Sequence, residues 1–246
     1  MLYFARGSCD DAITPEEVRQ ILTRVFDGMG PKRRVLALPP DFTRANSYAG
    51  PITEMAYDYF GDRLTDIMPA LGTHVPMTDG QISTMFGHTP KNLFRVHDWR
   101  NDVVTIGTVP GEYVREVTEG RLDYPLDAQV NKLLLDPSFD LILSVGQVVP
   151  HEVIGMANYT KNIFVGVGGS DFINKSHFIG ASYGMERIMG RAKSPVRDVF
   201  EYAKVNYAKN IPIVYILTVR DKQDGQMVTR GLFIGDDFEC FQKAAD

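Results

Sequence analysis

Two histidines and one lysine lie close together in the middle of the chain, and their side chains are the ones best suited to chemistry. His151 follows a hydrophobic run, Lys161 comes ten residues later, and His177 comes sixteen residues after the lysine. Imidazole transfers protons and binds metals near neutral pH, and a shielded lysine forms covalent adducts. The spacing indicates acid–base or covalent chemistry, although surface residues on a loop would give the same pattern.

The neighbouring motifs exclude the commonest cofactor and metal sites. The glycines in the stretch Gly166-Val167-Gly168-Gly169 lack the third glycine of a dinucleotide fingerprint, and no phosphate-binding loop with its lysine is present. There is no His-Glu-x-x-His pair and no cysteine cluster for zinc. His177 alone could not hold an aqueous ion, but it could bind a metal whose other ligands come from an organic cofactor.

Strand and helix patterns alternate along the chain and must position these residues. Strands are predicted at 33–38, 65–71, 102–106, 139–145 and 163–167, with helices at 15–29, 51–59, 126–135 and 194–209 and after Thr78. Such alternation is typical of an α/β fold, here a Rossmann-like one with a mostly parallel sheet and helices on both faces.

Polar residues follow three of the predicted strands at the point where each ends. Asp41 and Arg44 follow the first, His74 the second and His151 the strand at 139–145. Because ligands bind beyond the carboxyl ends of parallel strands, we expect these residues to meet at one edge of the sheet. His74 and His151 suit a pair in which one takes a proton as the other gives one, and Arg44 suits capture of a carboxylate or phosphate.

The last segment has a different pattern from the rest. Residues 211–219 and 226–234 read as two strands joined by a turn that ends in Asp224-Gly225. We interpret residues 1–209 as an N-terminal α/β catalytic domain and residues 210–246 as the start of a C-terminal domain that the chain does not complete.

Composition narrows the choice of partners and compartment. The 246 residues carry a net charge of −5, so no basic surface favours nucleic acid or an anionic membrane. The two cysteines stand at opposite ends, and neither a signal peptide nor a run of membrane-helix length is apparent. A cytoplasmic protein without nucleic-acid or membrane partners is expected; the pattern leaves its oligomeric state open.

The motifs together resemble those of the lactate racemase family. Asp41-Phe42-Thr43-Arg44 resembles the family's Asp-x-Thr-Arg, and Gly72-Thr73-His74 its Gly-Thr-His. Pro150-His151 resembles its Pro-His, while Lys161 and His177 stand where the family has its cofactor lysine and nickel ligand. The resemblance extends over residues 35–236.

The resemblance implies a definite chemistry. It implies an isomerase, a racemase or epimerase of 2-hydroxy acids that uses a nickel-pincer nucleotide, a nickel(II) pyridinium bisthiocarboxylate mononucleotide supplied by cofactor-synthesis proteins. Lys161 would hold this cofactor covalently, His177 would bind the nickel, and Asp41, Phe42, Thr43 and Arg44 would line the site, with Arg44 meeting the substrate carboxylate. His74 and His151 would be the catalytic acid and base on opposite faces of the hydroxyl-bearing carbon.

The chain departs from the family just before the lysine. The family's Ser-Gly-Gly is replaced in the segment Ala157-Asn158-Tyr159-Thr160, which suggests that Asn158 and Tyr159 bind a 2-hydroxy acid larger than lactate. Alternatively, both side chains only fix the turn. Two other functions stay open: a cofactor-binding or carrier protein without turnover, and a lysine-dependent, aldolase-like enzyme without metal.

Overall fold

A central sheet organises the computed structural model, which describes residues 1–246. In chain order the strands are β1 (Leu2–Gly7), β2 (Val35–Leu38), β3 (Leu64–Ile67), β4 (Val103–Val109), β5 (Leu126–Asn131), β6 (Leu141–Gln147), β7 (Pro150–His151), β8 (Gly155–Met156), β9 (Ile213–Gln223) and β10 (Gln226–Gly235). The helices are α1 (Pro15–Gly28), α2 (Ala49–Phe60), α3 (Asp79–Phe86), α4 (Gly111–Val117), α5 (Ser170–Tyr183), α6 (Met185–Ile188), α7 (Pro195–Ala203) and α8 (Phe238–Ala245).

Six strands form the central sheet in the order β1-β10-β9-β6-β2-β3. The strands β9, β6, β2 and β3 are parallel, whereas β10 and β1 add an antiparallel edge. The prediction of an α/β fold with a mostly parallel sheet is confirmed.

Alternate residues of the inner strands pack into two separate cores, one on each face. On β2, Val35 and Ala37 face the core formed with α1, α2 and α3, while Leu36 and Leu38 face the core formed with α5, α7 and α8. Strands covered by helices on both sides are apolar at nearly every position, which explains the continuous hydrophobic runs in the sequence.

The predicted helix starts are confirmed by their caps. The Thr14 side chain accepts a hydrogen bond from the Glu17 backbone at the start of α1, and Thr78 and Gln81 form the same reciprocal capping box before α3. These bonds satisfy backbone N–H groups that the first helical turn leaves free.

Two sequence-based assignments are wrong, those at 126–135 and 163–167. Residues 126–135 form β5 and a short 3-10 turn instead of a helix, because Leu126, Ala128 and Val130 are buried with a period of two. The strand predicted at 102–106 is confirmed as β4, which pairs with β5 outside the central sheet. The predicted strand at 163–167 is a buried helical turn, Asn162–Gly166; a short apolar run does not distinguish the two.

The segment after residue 209 does not start a separate sheet. Its two strands, β9 and β10, form the predicted hairpin, and β9 pairs in parallel with β6. Helix α8 then covers the same face as α5 and α7, with Phe241 fully buried there. The apolar side chains of residues 210–246 therefore complete both cores of the central sheet, and the structure does not separate this segment from residues 1–209.

None of the helices combines the length and apolar character required to cross a membrane.

Candidate active site

A cavity of about 280 Å³ opens at the carboxyl ends of β2, β3 and β6. Most of the predicted site residues line it: Asp41, Thr43, Arg44, His74, His151, Asn158, Lys161 and His177. They come from the turns after the three strands and from α5. The expectation that these strand ends meet is confirmed, as the general rule for open parallel sheets requires.

Asp41 fixes the orientation of His74. One carboxylate oxygen accepts hydrogen bonds from the backbone and hydroxyl of Thr43, at 3.1 and 2.5 Å, and so caps the 3-10 turn after β2. The other oxygen lies 2.6 Å from His74 Nδ1. A carboxylate can only accept, so we assign the Nδ1 proton to His74, which leaves the Nε2 lone pair free. This is the orientation of a general base.

His151 has the opposite arrangement. Its Nδ1 accepts a hydrogen bond of 3.1 Å from the Val153 backbone, so the proton of the neutral ring lies on Nε2. Burial, followed by the positive charge of Lys161, lowers the pKa of His151 to about 4. His151 is therefore neutral at pH 7 and presents an N–H donor, whereas His74 presents a lone pair.

His177 lies on α5, four residues after Ile173. Its Nδ1 donates a 2.6 Å hydrogen bond to the Ile173 carbonyl, which leaves Nε2 with a free lone pair. Burial lowers the pKa of His177, which keeps the ring neutral. Metal-binding histidines are commonly oriented by such a bond from the other ring nitrogen.

Lys161 follows a turn with unusual backbone geometry. Asn158 and Tyr159 both have left-handed conformations, with φ values of 67° and 59°. Asn162, the next residue, donates to the Leu38 carbonyl and the Ser144 hydroxyl at 2.9 and 3.0 Å and so ties the segment to β2 and β6. Glycine adopts left-handed geometry at least cost. The glycine pair that the family resemblance led us to expect at these positions would therefore fit this turn without strain.

The Lys161 amino group has no hydrogen bond or ion pair within the chain. Burial, and next the charge of Arg44, lower the pKa of Lys161 to about 8. A substantial fraction of this amine is therefore neutral near physiological pH, which is the form that attacks an electrophile. Arg44 itself is exposed and has no ion-pair partner, so its guanidinium is free to bind a carboxylate or phosphate.

Two predicted site residues lie outside the cavity. Phe42 packs against the core of α1 and α2 and does not line the cavity. Tyr159 is fully buried, with its ring stacked on Phe241 at 5.3 Å and its hydroxyl bonded to the Lys204 ammonium. Tyr159 therefore points into the core, while Asn158 lines the cavity.

Several cavity residues were not predicted. These are Ser47, Thr73, Gln147, Glu152 and Asn162, among others. Gln147 ends β6, and Glu152 and Asn162 are the chain neighbours of His151 and Lys161. Adjacency to a strand end or to a candidate residue was the available signal, but it does not tell which side chains turn inward.

Comparison with known proteins identifies the family. Residues 23–187 match the lactate racemase N-terminal domain. The chain belongs to this family. No curated protein matches it significantly in sequence.

Two solved structures have the same fold as this lactate racemase family member. A protein from Thermotoga maritima superposes with a TM-score of 0.85 at 24% identity, over 96% of this chain and 58% of its own. The lactate racemase apoprotein from Thermoanaerobacterium thermosaccharolyticum gives 0.70 at 20% identity, over 98% and 56%. The chain thus spans less than three fifths of either relative.

Proposed function

We propose that the protein is a racemase or epimerase of 2-hydroxy acids that works with the nickel-pincer nucleotide. The observation that carries this proposal is the pair of opposite imidazole tautomers in one cavity. His74 offers a lone pair at Nε2 and His151 offers a proton at Nε2. Inversion at a hydroxyl-bearing carbon through a keto acid needs a base that takes and returns the hydroxyl proton and a hydrogen-bond donor that polarises the keto oxygen.

The residues of the cavity fit the cofactor. The unpaired, partly neutral Lys161 amine can form the covalent attachment, and His177 Nε2 can bind the nickel. A single imidazole suits a metal whose other ligands belong to an organic group. When bound, the cofactor would accept hydride from the substrate carbon and return it.

The chain's own groups carry the substrate and the protons. Arg44, exposed and without an ion pair, would bind the carboxylate and so orient the hydroxyl-bearing carbon. His74 would take the hydroxyl proton, and Asp41 would stabilise the imidazolium that results. His151, which is neutral, would donate an Nε2–H hydrogen bond to the same oxygen and polarise the keto group. His74 would return its proton to that oxygen when the keto carbon is reduced on the other face, so the reverse reaction uses the same groups in the same protonation states.

The test is chiral chromatography of 2-hydroxy acids after co-expression of the chain with cofactor-synthesis proteins. We expect His74→Ala and His151→Ala each to lose racemisation in both directions by at least about a hundredfold, because each direction needs an acid and a base. His88→Ala is the matched control, since His88 is exposed and pairs with Glu54 and Asp58 outside the cavity. Losses of about tenfold or less would contradict the acid–base assignment.

A matched experiment tests the cofactor residues. We expect intact-mass spectrometry to show an adduct that Lys161→Met abolishes, and His177→Ala to lose nickel but keep the adduct. Full nickel occupancy in the His177→Ala protein would remove this residue from the site. Activity without any adduct would instead favour the lysine-dependent, aldolase-like reaction.

A second candidate function is cofactor binding without turnover. The His74 side chain is 57% exposed, so the cavity is open to water on that side. Water at the reacting carbon would weaken the electrostatic interactions that catalysis needs. An adduct on Lys161 without racemisation of any acid would support this candidate.

We further propose that the preferred substrate carries more hydroxyl groups than lactate. Asn158 supports this, since it places an amide at the cavity wall where the family has glycine. Comparing lactate, malate, glycerate and gluconate, we expect the highest kcat/KM on a polyhydroxy acid and loss of that preference in Asn158→Gly. A highest kcat/KM on lactate would contradict it.

A further inference from the structure

A fully buried arginine lies beneath the turn that presents Lys161. Arg197, on α7, is 0% exposed, and its guanidinium packs on the face of the Phe241 ring at 4.1 Å. One terminal nitrogen donates to the Met156 carbonyl at 2.7 Å, and the other to the Thr160 hydroxyl at 2.8 Å. Both also lie 3.4 Å from the Asn158 carbonyl.

These three acceptors belong to the irregular segment that ends immediately before Lys161. Two consecutive non-glycine residues in left-handed geometry are strained, because the Cβ atom lies too close to the following carbonyl oxygen. The turn therefore needs external bonds to keep this conformation. The planar fork of an arginine can reach three acceptors at once, whereas a lysine in the same place would reach fewer.

The charge of Arg197 is not cancelled by a direct ion pair. Its nearest acidic neighbour on α7, Glu201, accepts a hydrogen bond from the Thr160 hydroxyl at 2.9 Å instead. Burial lowers the pKa of Arg197 only to about 10, so the guanidinium stays positive at pH 7. Its field, with that of Arg44, contributes to the lowered pKa of Lys161.

We propose that Arg197 is a positioning residue for Lys161: it clamps the Met156–Thr160 turn and thereby presents the amine to the cavity. The value of that amine as the cofactor attachment point rests on the proposed function, but its placement does not. The other charged or titratable groups that act on Lys161 are Asp41, Arg44, His151, Glu152 and His177.

The test measures the reactivity of Lys161 directly, without cofactor. The full chain is acetylated with N-hydroxysuccinimidyl acetate over a pH series, and labelling of Lys161 is followed by peptide mass spectrometry relative to Lys222, which is exposed in the β9–β10 hairpin. In the unaltered protein we expect Lys161 labelling to reach half its maximum near pH 8. Arg197→Met should slow it about tenfold or more, because small misplacements of a reacting group cost large factors in rate.

Guanidinium ion at low concentration should restore part of the rate in Arg197→Met by filling the vacated space. Arg34→Met is the matched control, since Arg34 is a half-buried arginine paired with Asp66 and Asp136 at the amino end of β2. It should lose stability without changing Lys161 labelling. Thr160→Val, nearly the same shape, tests the clamp if Arg197→Met fails to fold, and it should also slow labelling.

Unchanged Lys161 labelling in folded Arg197→Met, or in Thr160→Val together with Arg197→Lys, would overturn the proposal. A protein that shows the expected labelling pattern but never takes up the cofactor would leave Arg197 as the positioning residue and contradict the proposed function alone. If the protein takes up the cofactor normally but these variants do not affect labelling, the proposed function would stand and the positioning role of Arg197 would be contradicted.

Discussion

At the scale of single residues, the site is defined by which ring nitrogen of each histidine is already engaged. Nδ1 of His74 is bonded to Asp41, that of His151 to the Val153 backbone and that of His177 to the Ile173 carbonyl. In each ring Nε2 is the nitrogen left for chemistry. The sequence could identify these three histidines, but not their partners, because Val153 and Ile173 contribute only backbone atoms.

The pKa values of His151 and His88 should be shifted in opposite directions from that of a free histidine. NMR of the ring protons should show His151 titrating near pH 4, because burial and Lys161 oppose its charge, and exposed His88 titrating above its ordinary value of about 6.5, because Asp58 and Glu54 favour its charge. Between about pH 6.5 and pH 4, His151 is protonated in the unfolded chain but neutral in the folded one. Its contribution to the free energy of unfolding therefore falls as the pH decreases through this range. His151→Gln assigns the resonance. A His151 midpoint above pH 6 would contradict its assigned neutral state.

Lys161 should reduce the stability of the fold that holds it. Its lowered pKa means that the folded protein disfavours the ammonium form, so Lys161→Met should raise the free energy of unfolding at pH 7 by roughly 2 kcal/mol. The gain should shrink as the pH rises from 8 towards 10, where the unfolded lysine also loses its proton. Urea denaturation at both pH values measures it, with Lys222→Met as the exposed control; an equal gain at both values would contradict the explanation.

At the scale of elements, the turn before Lys161 depends on α7 and α8. Tyr159 leaves the cavity and enters the core, where its ring lies between Tyr215 and Phe241 at 4.3 and 5.3 Å. No local pattern in Ala157-Asn158-Tyr159-Thr160 reveals this, because the direction of the side chain depends on a left-handed φ and on partners more than forty residues away.

Tyr159→Phe tests this placement. It should cost roughly 1–2 kcal/mol of stability, because the partly buried Lys204 ammonium loses its hydroxyl partner, and it should not change the preference among 2-hydroxy acids. Thermal unfolding and the substrate panel measure the two effects. Tyr59→Phe, whose hydroxyl pairs with Asp27 at the surface, should cost less. A changed substrate preference in Tyr159→Phe would contradict this placement and indicate that the Tyr159 hydroxyl contacts the substrate.

Helices with capping residues and strands with long apolar runs could be predicted from the sequence. A segment whose apolar residues fit both a helical and a strand spacing could not. Thr14 and Thr78 mark helix starts that the structure reproduces. Residues 126–135 carry both a helical spacing and the alternation of Leu126, Ala128 and Val130. Pairing with β4 favours the strand, and this pairing cannot be read from the sequence of residues 126–135 alone.

At the scale of the whole molecule, the segment after residue 209 is needed to fold the sheet that carries the candidate active site. A chain shortened after Lys209 should not fold cooperatively, because it loses the parallel partner of β6, the antiparallel partner of β1 and helix α8. Circular dichroism during heating should show no sharp transition. A chain shortened after Gly235, which keeps the whole sheet, is the control and should retain a transition, at lower temperature. Cooperative unfolding of the shorter chain would restore the boundary at residue 210.

The order of the strands also determines when the central sheet can be completed during synthesis. Strand β1 stands at the edge of the sheet, and its only neighbour there is β10, with Leu2 opposite Gly235. At roughly 5–20 residues per second, β1 leaves the ribosome on the order of ten seconds or more before β10 has been made. During that interval β1 has no partner, so the six-stranded sheet closes only after β10 has been translated.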